Sequence, residues 1–478
     1  MLFNSMHFVV FFTIIVALYF SIPQRYRWIL LLTGSYYFYM CWKLEYIILI
    51  FLSTVIDYIC GLQIYHAKSK ILKKNFLFLS LSFNLGLLFT FKYFNFFNDS
   101  LRAAFDVINV TVYLPHLNVL LPVGISFYTF QTLSYTIEIY RGNMKPERHF
   151  GIFALFVSFF PQLVAGPVER ANHLIPQLKK QNSFDSERIK DGLRLMVWGF
   201  YKKIVVADSV GFYVNQVYNN CYDYEGWPLI IATILFAFQI YGDFSGYSDI
   251  AIGAARIMGY DLMTNFRFPL FATSVPDYWR RWHISMSKWF KDYIFIPLGG
   301  NRCNTWRWYF NIFIVFFLSG FWHGANWTFV IWGMIHGIYM ISSIATKSMR
   351  KKVTDKMNLS PTMHRVVKIF IAFNLVAFSR IFFRGNSVQD AWYILTHLFS
   401  GLNNFSGLSV SLGKYTVAVG FVAALSLIII ELYQMNYSIR MTLNRLPTGF
   451  RWSLYFIMIY IIIIFGVDFN TQFIYFQF

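Results

Sequence analysis

Charge is scarce in this chain. Of 478 residues, 13% are Asp, Glu, Lys or Arg, while 57% are hydrophobic; a soluble domain carries about 25% charged residues. In water a chain this apolar would expose far too much greasy surface, so lipid is its expected solvent. Cysteine is scarce too: Cys41, Cys60, Cys221 and Cys303 are the whole complement. None sits in CxxC spacing, so neither a metal site nor a redox pair is signalled. Cys41 and Cys60, in or beside apolar runs, read as small buried apolar residues. HExxH, P-loop and GxSxG patterns are missing. So are internal repeats, low-complexity tracts and any polar stretch long enough to fold alone, the longest being about 166–194.

Aromatic residues are plentiful, at 21%, with 55 Phe, 32 Tyr and 14 Trp. Tyr and Trp suit the bilayer interfaces, where one end of the ring stays wet. The net charge of +19 comes from 41 Lys plus Arg against 22 Asp plus Glu. These basic residues gather in short loops between apolar runs, the pattern of cytoplasmic loops in a membrane protein. That distribution argues against nucleic acid as a partner and for membrane lipids. The run at 7–22 lacks a basic leader and a small-residue cleavage site, and reads as a first membrane helix rather than a signal peptide.

Candidate spans are 6–22, 28–42, 46–65, 75–96, 118–138, 193–215, 228–242, 308–322, 326–343, 366–384, 414–433 and 452–468. A crossing helix needs about 20 apolar residues, and several of these are short, so about 10–13 spans are expected. The apolar segment 150–165 holds Pro161, with Gly166 just beyond, and is expected to be re-entrant. Loops 67–74, 141–149, 166–194, 344–365 and 435–451 are rich in Lys and Arg and should face the cytoplasm; 97–117, 216–227 and 400–413 are poor in them and should face outward. These sides alternate if the N-terminus is outside and 150–165 does not cross. The expected class is all-α, a single polytopic membrane domain over 1–478 with a motif-bearing core at 118–345 and C-terminal helices at 366–468.

The pattern breaks at 240–305. Asp243, Ser245, Ser248 and Asp249 interrupt what would otherwise continue a span. Ser245 and Asp249 are four apart and share one face if helical; they suit either a polar helix seam or a site. Residues 277–292 interleave Trp279, Trp282 and Trp289 with Arg280, Arg281, Lys288 and Lys291. One amphipathic interfacial helix is expected there. It serves either as an anchor or as a basic, aromatic mouth for a phosphate-bearing donor, with Arg280, Arg281, Trp282 and Lys288 as donor-binding candidates. His283 lies within it. Further on, an apolar run leads into Ser319-Gly320-Phe321-Trp322-His323-Gly324-Ala325-Asn326-Trp327. The preceding run is too short to clear the hydrocarbon core, so His323 is expected at membrane depth, where an ionisable group points to function. An imidazole takes and returns a proton near neutral pH, which suits a general base for hydroxyl attack on a thioester. A hydrogen-bonded packing histidine is the plainer alternative, and it weighs more heavily for His336, which sits in an ordinary apolar helix. Asp249 and Asn326 are candidate supporting polar residues.

At these residues the sequence resembles the membrane-bound O-acyltransferase (MBOAT) family, in particular its bacterial alginate-O-acetylase-like and D-alanyl-transfer-like branch. The resemblance is carried by YGDFSGYSDIAIG at 241–253, NFRFPLFATSVPDYWRRWHISMSKWFKDYIFIPLGGNR at 265–302 and LSGFWHGANWTFVIWGMIHG at 318–337, with LPVGISFYTFQTLSY at 121–135 and PQLVAGPVER at 161–170. It implies a helical bundle with re-entrant and interfacial helices around a central funnel, where an acyl donor meets an acceptor near a histidine. That histidine falls on His323 through FWHG, and a second functional histidine on His283 through RRWHIS. The reaction so implied is transfer of acetyl from cytosolic acetyl-CoA, a substrate rather than a bound cofactor, to hydroxyls of an extracytoplasmic polysaccharide in a bacterial inner membrane. Transfer is direct or through a secreted, esterase-like partner protein. D-alanyl transfer from an acyl carrier, or lipid or protein acyl transfer on the same fold, is the alternative. A transporter is disfavoured, because no paired broken helices appear in two halves.

Overall fold

The computed structural model describes residues 1–113, 115–164, 166–356, 359–403, 414–465 and 473–474, with the backbone alone for 414–417. The parts of the expected loops and spans at 114, 165, 357–358, 404–413 and 466–468 lie outside the described residues. All regular structure among the described residues is helical. Among the described residues, seven helices are long and apolar enough to cross a membrane: Leu44–His66, Lys70–Val107, Trp227–Met258, Trp327–Ala345, Pro361–Arg384, Ala418–Asn436 and Thr448–Phe465. Other expected spans also form helices, at Met6–Ser21, Gln24–Met40, Ile125–Tyr140 and Thr305–His323, but these are shorter or more polar.

The chain divides into two compact units, one of Met1–Met196 with Ile250–Met263, the other of Val197–Asp249 with Thr264–Phe478. In the first, the helices Ile47–His66, Lys70–Leu88 and Ile125–Tyr140 enclose a polar knot. Buried Asp57 accepts from Ser80 Oγ at 2.5 Å and Asn84 Nδ2 at 2.9 Å, and Ser53 Oγ donates to Asn84 Oδ1 at 2.7 Å. With no water at hand, each polar group must find its partner inside the protein. Gly61 lets Tyr135 lie against the backbone, since a Cβ there would stand 2.7 Å from the ring.

The segment expected to be re-entrant is a broken helix, Phe150–Ser158 followed by Phe160–Leu163, buried from Gly151 onward. Nine residues of helix rise only about 14 Å, half of a hydrocarbon core. The break opens the backbone, and side chains close it. Gln131 Nε2 and Gln162 Nε2 donate to the Phe156 carbonyl at 2.5 and 2.8 Å, and the Phe160 N–H donates to Ser35 Oγ at 3.0 Å.

In the second unit, Thr305–His323 and Trp327–Ala345 pack backbone to backbone. A Cβ on Gly320 would lie 3.0 Å from Gly333 Cα, and one on Gly333 would lie 2.9 Å from Gly320 Cα. Small residues permit this approach, where dispersion rather than the hydrophobic effect holds membrane helices together. One expectation is corrected here. The polar residues at 243–249 do not end the span, because a single 32-residue helix runs from Trp227 to Met258. It survives because its charges are neutralised within the protein: Lys203 Nζ lies 2.6 Å from Asp243 and 2.8 Å from Asp208, and Lys202 Nζ lies 2.5 Å from Asp249. Both lysines come from the π-helical stretch Tyr201–Asp208.

Candidate active site

The segment expected to form one amphipathic helix is two. Val275–Arg281 ends at Trp282, His283 takes a left-handed backbone conformation at φ 43°, and Ile284–Phe290 begins a new helix. For a residue with a Cβ that conformation costs about 1–2 kcal/mol and persists only where its surroundings hold it. The holding is visible: the Arg267 N–H donates to the Arg281 carbonyl and the Ile284 N–H to the Asn265 carbonyl, both at 2.9 Å. The break turns Trp279, Trp282 and Trp289 inward, where all three are buried. Arg280 and Lys288 are exposed. Arg281 is half-buried and pairs through Nε with Asp277 at 2.9 Å.

The turn presents His283 to Asn265. His283 Nδ1 and Asn265 Oδ1 are 3.0 Å apart, Ser285 Oγ donates to the same oxygen at 3.0 Å, and Asn265 Nδ2 donates to Ser248 Oγ at 3.1 Å. An amide oxygen only accepts, so Nδ1 carries the proton and Nε2 the lone pair. The Phe244 ring stands edge-on to the imidazole at 4.6 Å. His283 is fully buried, and burial pushes its imidazole down from 6.5 to about 3, leaving it neutral.

His323 closes the helix Thr305–His323 and is 3% exposed. Aromatic rings surround it: Trp322 at 4.9 Å, Trp332 at 5.0 Å and Phe383 at 5.5 Å. Trp322 also lies 6.2 Å from His283, so one indole touches both histidines. Gly324 makes room for this corner, since a Cβ there would run into the Phe329 ring. His336 is placed differently. Its Nδ1 accepts from Trp279 Nε1 at 3.2 Å, and its Nε2 lies 2.9 Å from Ser379 Oγ, whose own hydrogen goes to the Val376 carbonyl at 2.7 Å. Both nitrogens are therefore spent on packing partners.

Of the supporting residues, Asp249 is ion-paired with Lys202. Asn326 caps the helix Trp327–Ala345, its Oδ1 accepting from the Thr328 N–H at 3.0 Å. Sequence reasoning passed over Asn265, Lys202, Lys203 and Arg380. The lysines and the arginine carried a usable signal, a cation inside an apolar run. Asn265 lay within a quoted motif but looked like an ordinary loop residue.

The model of the membrane-bound O-acyltransferase family matches residues 28–383, which takes in both histidines. The chain is 36% identical over 405 residues to the probable alginate O-acetylase AlgI of Azotobacter vinelandii, covering 84% of this chain and 78% of that protein. It is 33% identical over 440 residues to the peptidoglycan O-acetyltransferase of Helicobacter pylori, covering 85% and 81%. It is 26% identical over 294 residues to the teichoic acid D-alanyltransferase of Streptococcus thermophilus, covering 56% and 69%. A helical, multi-pass chain with two buried histidines joined through one tryptophan, matched over most of its length, belongs to the membrane-bound O-acyltransferase family and is an acyltransferase.

Proposed function

We propose that this enzyme moves an acetyl group from acetyl-CoA on the cytoplasmic side of a bacterial inner membrane to a hydroxyl on the outer side. The acceptor is an extracytoplasmic polysaccharide or a secreted esterase-like partner that completes the transfer. The observation that carries the reading is the pair of buried imidazoles sharing Trp322, together with similarity at 33–36% to proteins named as O-acetylases and O-acetyltransferases. His323 takes the proton of the acceptor hydroxyl while its oxygen attacks the thioester carbonyl carbon. The carbon–sulfur bond then breaks, and the departing thiolate takes up a proton. His283, held by Asn265, supplies a second neutral nitrogen beside that path. The exposed heads of Arg280 and Lys288, with Arg281 behind them, attract the donor's phosphates; Trp282, whose ring stacks on Tyr278 at 5.5 Å, supports the mouth from within.

The test is transfer of labelled acetyl by purified protein in lipid nanodiscs. His323→Ala should insert and fold yet lose about 10² to 10⁴ of the rate, the usual worth of a general base. Wild-type turnover in that variant would remove His323 from the mechanism. If the protein instead carries labelled D-alanine and ignores acetyl-CoA, D-alanyl transfer replaces this reading.

A further inference from the structure

The helix Pro361–Arg384 carries a buried cation that the proposed chemistry does not use. Arg380 is 4% exposed. Its Nη2 donates to Tyr278 Oη at 2.9 Å, and its guanidinium lies 5.0 Å from the Trp282 ring centre and 5.7 Å from that of Tyr278. No carboxylate is within ion-pair distance of it among the described residues. This sets it apart from the buried lysines of the same unit, Lys202 and Lys203, which both have aspartate partners. A phenol and two ring faces ease the burial of a guanidinium but leave its charge uncancelled, and an uncompensated buried charge is costly. Were packing the whole role, an apolar side chain would serve the helix better.

Arg380 also has company. One turn on, Arg384 donates to Asn215 Oδ1 at 2.9 Å and Asn219 Oδ1 at 3.0 Å, and again no carboxylate faces it among the described residues. Between the two, Phe383 packs on His323. Trp282 precedes His283, and His336 is bonded through Nε2 to Ser379, the residue before Arg380. The arginines therefore stand at the histidine site and at one end of their helix. Pro361 begins that helix just after the lysine-rich stretch 347–356. The expected span begins at 366, so at about 1.5 Å per residue Arg380 stands roughly 21 Å along it and Arg384 roughly 27 Å. With the basic loop in the cytoplasm, Arg384 is at the outer end of the helix and Arg380 lies one turn deeper, against Trp282.

We infer that Arg380, backed by Arg384, is an anion-binding site for the acceptor, taking a carboxylate or phosphate group that enters from the extracytoplasmic side and orienting the neighbouring hydroxyl toward His323. The planar guanidinium fork suits such two-oxygen groups. The inference rests on the acceptor arriving from outside, as the proposed function has it.

A binding measurement separates it from the transfer reaction. Wild-type protein in nanodiscs is titrated with a mannuronate trisaccharide, with its neutral methyl ester and with coenzyme A. The acid should bind at least tenfold more tightly than the ester. R380Q should erase that preference, R380K should keep part of it, and coenzyme A should bind all three proteins alike. His323→Ala should bind the acid as wild type does even though its transfer is slowed by about 10² to 10⁴, so loss of the transfer reading leaves this result standing. Equal binding of acid and ester by the wild-type protein overturns the proposal, and needs no variant to fold. An R380Q protein that loses coenzyme A rather than the trisaccharide overturns it too, moving Arg380 to the donor.

Discussion

His283 gathers several physical effects in one residue. Its backbone is left-handed, its Nδ1 is committed to Asn265, and its burial holds it neutral with a pKa of about 3. The sign of the consequence follows from linkage. Between about 3 and 6.5 the unfolded imidazole binds a proton that the folded one refuses, so the unfolded state gains as pH falls. Melting temperature should therefore drop from pH 7 to pH 5, and drop less in His283→Gln, which has no proton to take up. Parallel curves for the two proteins would show that His283 titrates normally. The same residue shows where reading from sequence stops. RRWHIS marked His283 for attention, but neither its reversed backbone nor its tie to Asn265, 18 positions earlier, leaves a periodic trace. Both are set by packing between segments.

At the scale of elements, charge pairing decides where helices continue. The aspartates at 243 and 249 looked like the end of a span, yet the helix runs on because Lys203 and Lys202 meet them. Removing one partner of a buried pair strands the other. Lys203→Met leaves Asp208 and Asp243 facing each other without a cation, and should destabilise the protein by about 3–5 kcal/mol. Asp208→Asn, which leaves the Lys203–Asp243 pair in place, should cost less. Thermal denaturation of detergent-solubilised protein ranks them, and equal melting temperatures for Lys203→Met and wild type would refute the pairing argument. The glycine contact between Thr305–His323 and Trp327–Ala345 makes a second demand. Gly333→Leu drives a side chain into the opposing backbone and should abolish folding, read as loss of a monodisperse peak in size-exclusion chromatography. An intact peak would mean that the helices can separate without penalty.

For the whole molecule, the distribution of Lys and Arg predicts sidedness. After Cys41 and Cys303, both accessible to some degree, are replaced by serine, Lys70→Cys and Lys351→Cys should resist a membrane-impermeant thiol reagent applied to intact cells, while Asp106→Cys should react. Reaction at Lys70→Cys would invert the topology and with it the entry sides assigned to donor and acceptor.

The amino-acid sequence alone determined the solvent, the helical class, most of the spanning segments and the two histidines worth testing. Those follow from composition and from patterns local to a few turns, where the solvent acts directly on each stretch of chain. Only the tertiary structure decided that Asp243 and Asp249 are paired rather than exposed, that the tryptophans of 277–292 turn inward, that both His336 nitrogens have side-chain partners and that Arg380 has no carboxylate partner among the described residues. Each of these depends on which distant side chain reaches a given atom. In a low-dielectric interior that choice governs the energy of every charge, and nothing in the local pattern records it.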